Sequence, residues 1–109
     1  MEFKVIPTKF FIKKIKKLKK KYPNIITDID NLVLFLKKNP ENGIHLGRSI
    51  YKIRLKSSDI TKGKSGALRI IYYMLTRNSK IYLLTIYFKG KKENISWSEI
   101  ENLLKEIEL

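Results

Sequence analysis

Cysteine is absent from the 109 residues and histidine occurs once, as His45. The first absence excludes disulfides, thiolate zinc sites and a cysteine nucleophile, and the second excludes any two-histidine metal motif. No run approaches the roughly 18 apolar residues needed to span a bilayer. The apolar triplet Phe10-Phe11-Ile12 is broken at once by lysines, so no secretory signal is expected and the chain is placed in the cytosol. Acidic residues are scarce, 10 against 24 lysines and arginines, and the formal net charge is +14. Chemistry in such a chain falls to lysine, arginine, tyrosine and hydroxyls, with neither metal nor cofactor expected.

With 43% hydrophobic residues the chain has the composition of a globular protein, and its length suits one domain over residues 1–109. A cationic surplus of this size concentrates polyanions, nucleic acid first, then anionic lipid or an acidic protein. Most of the surplus is lysine, 20 residues against four arginines. An A+T-rich coding bias would produce the same excess, so the arginines carry more weight.

The order of elements follows from hydrophobic periodicity. MEFKVIP alternates briefly and reads as a strand stopped by proline. From Thr8, KFFIKKIKKLKKKY sets Phe11, Ile15, Leu18 and Tyr22 four, three and four residues apart, an amphipathic helix with a lysine outer face. Pro23 and Asn24 interrupt it, and Ile25, Ile29, Leu32 and Leu36 then repeat the helical spacing up to Asn39 and Pro40, predicting a helical hairpin. After Gly47 the period changes to two. In IYKIRLK, Tyr51, Ile53 and Leu55 share one side, while Lys52, Arg54 and Lys56 share the other. The polar loop SSDITKGKSG leads into ALRIIYYMLTR and KIYLLTIYFK, two β-prone runs separated by Asn78 and Ser79. SWSEIENLLKEIEL opens with Ser96 and Glu99 at capping-box spacing and predicts a final helix.

The predicted class is α+β, in the order β-α-α-β-β-β-α: a small antiparallel-rich sheet, a helical hairpin packed on one face and a C-terminal helix, with the other face of the central strands open and basic. Charge is divided accordingly. Residues 1–21 hold nine lysines against one acid, residues 44–92 hold twelve basic residues against Asp59, and residues 99–109 hold four glutamates against one lysine.

The basic strand IYKIRLK, the turn GKSGALRIIYY with its arginine close behind, and LLTIYFKGKKENIS before a capped helix resemble the RelE/ParE superfamily of bacterial toxins, closest to its HigB-like members. The resemblance covers nearly the whole chain and is strongest from Ile50 to Ser96. It implies the toxin of a type II toxin–antitoxin pair, an endoribonuclease that cuts mRNA on translating ribosomes and is held inactive by a cognate antitoxin. The ParE branch instead poisons DNA gyrase on a similar scaffold, and a non-catalytic nucleic-acid-binding module is a third reading.

Metal-free RNA cleavage needs the 2′-hydroxyl deprotonated, the extra charge on phosphorus stabilised and the 5′-oxygen protonated, which here falls to cations. Lys52, Arg54, Arg69 and Lys89 are the candidate catalytic residues. Arg69 suits a phosphate clamp because its planar fork stays charged. Crowding beside the arginines would lower a lysine's pKa toward that of a base. Lys89, or Lys91 or Lys92 after it, would stabilise the transition state or protonate the leaving group. Lys56, Lys64, Lys91 and Lys92 are candidate phosphate contacts, and Trp97 a base-stacking residue. The structural alternatives are an ion pair between Arg69 and a glutamate of the C-terminal helix, a merely solvated basic strand face, and Trp97 as a hydrophobic anchor.

Overall fold

The computed structural model describes residues 2–59, 68–89 and 95–107. The elements are β1 (Lys4–Pro7), α1 (Lys9–Leu18), α2 (Ile25–Lys38), β2 (Ile44–Gly47), β3 (Ile50–Leu55), β4 (Leu68–Leu75), β5 (Lys80–Phe88) and α3 (Trp97–Leu104), with one 3₁₀ turn over Thr76–Asn78. The strands form one sheet in the order β1-β5-β4-β3-β2. Neighbours run antiparallel except β1, which pairs parallel with β5 from Lys4 opposite Lys80 to Pro7 opposite Leu83. No helix among the described residues is long and apolar enough to cross a membrane.

Two features differ from the sequence expectation. The strand β2 is an addition: IHLG is four residues long, follows the turn signals Asn39, Pro40 and Gly43, and ends in glycine, so no alternation marks it. It reaches β3 through a two-residue turn in which Arg48 and Ser49 both have positive φ, 51° and 63°. Such turns ordinarily carry Asn-Gly, because a Cβ is disfavoured there, and Arg-Ser gives no warning of one. The second difference lies on the sheet face away from the helical hairpin. It is open at one end only, because α3 packs over the rest of it.

Each face of the sheet has its own core. On one, Phe11, Ile15, Ile25, Ile29 and Leu36 of the hairpin pack on Leu55, Leu68, Ile70, Tyr72, Ile81, Leu83 and Ile86. On the other, Ile100 of α3 packs on Ile50, Ile71, Leu84 and Tyr87. A bulge in β5 makes this division: Ile71 lies opposite Thr85 but Tyr72 opposite Leu83, so Leu84 is an extra residue and joins the second face. Caps fix both ends of the arrangement. The Thr8 hydroxyl accepts from the Phe11 N–H (3.3 Å) and donates to the Leu83 carbonyl (2.9 Å), tying the start of α1 to the strand it covers. At α3, Ser96 and Glu99 form the expected capping box.

Tyr72 clasps the connection between α2 and β2. Its hydroxyl donates to the Pro40 carbonyl (2.7 Å) and accepts from the Gly43 N–H (3.1 Å), and its ring stacks on Tyr51 at 5.2 Å. A Cβ on Gly43 would lie 2.9 Å from that hydroxyl and 3.0 Å from the Lys52 carbonyl, so only glycine fits. Burial pushes the Tyr72 pKa up to about 12. The raised value favours the folded state while the phenol is protonated, so this contribution is complete below the unfolded value near 10 and is lost as pH rises toward 12. Tyr72→Phe is expected to cost about 1–3 kcal/mol by leaving two backbone groups without their partner, and to flatten the loss of stability between pH 10 and 12. Urea titrations across that range check both.

Candidate nucleic-acid interface

The register of β3 on β4 brings two of the chain's four arginines together. Arg54 lies directly opposite Arg69, and Lys52, two residues earlier on the same side of β3, lies opposite Ile71. Opposed residues on neighbouring strands have Cβ atoms about 4.5–5.5 Å apart, and like charges there repel. Arg54 is exposed, whereas Arg69 is 9% exposed and donates from Nη1 to the Leu68 carbonyl at 3.2 Å. Burial lowers the Arg69 pKa, the charge on Arg54 lowers it further, and Tyr87 acts the other way. An anion shared by the two guanidinium groups would reverse both penalties, by replacing lost water and screening the repulsion.

On its other flank Arg69 lies opposite Tyr87 of β5. Tyr87 is 5% exposed, and its hydroxyl is the buried side-chain polar atom without a hydrogen-bond partner among the described residues. Burial raises its pKa, Glu99 raises it further, and Arg69 opposes them, so the group is a neutral phenol with a proton to donate. Period-2 alternation places Thr85 and Tyr87 on the side of Arg69. Nothing in the sequence marks a missing hydrogen-bond partner, so Tyr87 does not stand out there from the other residues of its β-prone run.

Two aspartates hold the exit of β3. The Asn24 N–H and its amide group donate to Asp59, both at 2.8 Å, and the Ser58 N–H and hydroxyl donate to Asp28 at 3.0 and 3.2 Å. These bonds pin residues 58 and 59 to the start of α2 and fix where Arg54 and Lys56 stand. The four polar partners are far apart in sequence, and no motif announces them.

No protein-family model matches the sequence. Solved structures do. A mutant of the E. coli toxin RelE in the free state aligns with a TM-score of 0.65 at 16% identity, covering 99% of this chain and 100% of that one. The RelBE2 toxin–antitoxin complex from Mycobacterium tuberculosis aligns at 0.62 with 17% identity, covering 81% and 99%. An archaeal RelE–RelB complex from Pyrococcus horikoshii OT3 aligns at 0.52 with 18% identity, covering 84% and 99%. The chain has the RelE fold.

On this RelE fold the expected site residues separate into three groups. Lys52, Arg54 and Arg69 come together on one sheet face. Lys56 and Lys89 are exposed, each one residue past the end of its strand, beside that cluster. Lys64, Lys91 and Lys92 lie outside the described residues. Trp97 stands apart: its ring lies 3.8 Å from where a Cβ on Gly47 would be, and the Arg48 guanidinium sits 5.1 Å over it. Gly47 pairs with Ile50, four residues from Arg54 along β3, or about 13 Å. The geometry of Trp97 is therefore that of an anchor between α3 and the β2–β3 turn, with 39% of its surface exposed. The Glu101 carboxylate of α3 pairs with Arg48 at 3.5 Å.

The opposed arginines carry a cost that can be read out. Arg54→Thr, which keeps a strand-forming residue, is expected to raise the melting temperature by a few degrees, since relief of a cross-strand repulsion is worth about 0.2–1 kcal/mol. The same change should weaken RNA binding severalfold. Thermal melts at low salt and a binding titration test the two halves separately; a melting temperature that falls would count against the repulsion.

Proposed function

We propose that this chain is the toxin of a type II toxin–antitoxin pair and that it cuts mRNA on the ribosome without a metal ion. The observation that carries the reading is the direct opposition of Arg54 and Arg69, with Lys52 on the same face: three cations held at the open end of a sheet face where a phosphodiester would lie across two strands. Arg69 clamps the phosphate and stabilises the charge that develops on its equatorial oxygens. In this reading Lys52 takes the 2′-hydroxyl proton, and Lys89, or Lys91 or Lys92, protonates the departing 5′-oxygen. The fold supports the reading, since the similar proteins named above are RelE toxins, two of them in complexes with RelB antitoxins. All three are RelE proteins, so the HigB-like branch expected from the sequence gains no support from them. A cognate antitoxin would cover the basic face, and the +14 charge suits an acidic partner.

The test is to induce the gene in a bacterium, follow translation and map mRNA 5′ ends, with Arg69→Ala as the control. Arrest of translation with new 5′ ends, both absent in the variant, is the expected result. Growth arrest without mRNA cuts, accompanied by inhibition of gyrase, would replace this reading with the ParE-like one.

A further inference from the structure

The ladder between β1 and β5 stops at Pro7 opposite Leu83, so from Thr85 to Phe88 the outer edge of β5 has no strand beside it among the described residues. Helix α1 runs along this edge instead. Two adjoining hollows, about 260 and 280 Å³, lie between the strand edge and α1, the first of them also against α3, and Lys14 and Tyr87 line both. The first has the Glu99 carboxylate on its α3 wall, and the second is walled by Lys21, Tyr22 and Phe88. The Lys21 ammonium lies 5.3 Å from the centre of the Phe88 ring and 5.6 Å from that of Tyr22.

We propose that this groove is a nucleotide subsite, holding one unpaired nucleotide of the RNA strand next to the phosphate bound at Arg54 and Arg69. The proposal rests on the reading of those arginines as the phosphate position. Three observations point to this ligand. Tyr87 joins the two places, because it is directly opposite Arg69 and also lines the groove. The residue is 5% exposed and its hydroxyl lacks a hydrogen-bond partner among the described residues, so a ribose hydroxyl or phosphate oxygen that reached it would find a donor not already engaged. The second hollow sets a half-buried aromatic ring beside an exposed lysine, the pairing that grips single-stranded nucleic acid by stacking a base and neutralising its phosphate. The base stacks on Phe88 and the ammonium of Lys21 moves from the ring to the phosphate. Glu99 excludes anions from the α3 side, which leaves the Lys21 side as the path of the backbone. Spacing of 10, 14 and 17 along α1 puts Lys14 and Lys17 on one stripe, and Lys21 follows in the turn beyond the helix.

The test uses the full chain and a fluorescein-labelled 2′-O-methyl oligouridine hexamer, which cannot be cleaved by attack of its own 2′-oxygen, with anisotropy titrations between 50 and 200 mM salt. Phe88→Leu, which keeps the apolar volume, is expected to weaken binding roughly tenfold, and Lys21→Gln to reduce the slope of log K against log salt by about one. Lys16→Gln removes the same charge from the opposite face of α1 and should change affinity less than twofold. Should Phe88→Leu melt early, the exposed Lys21 carries the test alone. Groove variants that bind like wild type while Arg69→Gln loses binding would overturn the subsite and leave the phosphate reading standing. Groove variants that weaken binding while Arg69→Gln does not would keep the subsite and overturn the phosphate reading. A wild-type chain that fails to bind the hexamer overturns both.

Discussion

Arg69→Gln is expected to lower ribosome-dependent mRNA cleavage by about a hundredfold or more, as read from the yield of new 5′ ends. Removal of one preorganised donor from a charge-stabilising site typically costs a factor of 10²–10³ in rate. Arg69 belongs to that class, because its guanidinium is held by the strand and by its bond to the Leu68 carbonyl before any substrate arrives. Glutamine keeps the length and polarity but loses the charge and the fork. Arg69→Lys restores the charge alone and should recover part of the loss, since a point charge cannot span two phosphate oxygens. The fold is expected to tolerate the glutamine change, because loss of the repulsion with Arg54 offsets the poorer filling of the site. A glutamine variant that cleaves at the wild-type rate would remove Arg69 from the chemistry.

The second large effect concerns the two unequal cores. Phe11 of α1 is 2% exposed and packs in the larger one, between the hairpin and the sheet. Phe11→Ala is expected to cost about 3–5 kcal/mol, in the range for deleting a buried aromatic ring. A domain of this size has a total stability of about 5–15 kcal/mol, so the variant should unfold in much less urea, with all probes moving together. Ile100→Ala behaves differently. Ile100 is equally buried, 1% exposed, but it is the buried residue of an eight-residue helix lying on the smaller core. Its loss should raise hydrogen exchange in α3 well before β4 loses protection, because that helix opens locally. Loss of β4 protection in step with α3 would show that the two cores unfold as one. The comparison also bears on the groove beside Tyr87, since α3 forms one of its walls.

How much of this was legible in the sequence depends on the range of the interaction. Local rules located α1 from Thr8, α2 from its repeat of Ile25, Ile29 and Leu36, and α3 from Ser96 and Glu99, because capping and helical periodicity act within four residues. Alternation likewise separated Lys52 and Arg54 from Tyr51 and Leu55. The same rules missed β2, whose pairing depends on β3 rather than on its own four residues, and the bulge at Leu84, which two successive register pairs reveal and composition does not.

For the candidate site, the sequence by itself determined the kind of chemistry: no thiols, one imidazole, a surplus of cations, and arginines set into strands on one side. It could not determine which cations meet. Lys52, Arg54 and Arg69 converge because the β3–β4 register sets Arg54 against Arg69, 15 positions later in the sequence, and a shift of one position would have opposed different pairs. Trp97 was drawn away from them by a turn at Gly47 fifty residues earlier, and Tyr87 was left beside Arg69, its hydroxyl without a partner among the described residues, by the way α1 and α3 close over the edge of β5. Composition and period depend on the chain alone, whereas proximity and desolvation arise only when distant segments pack.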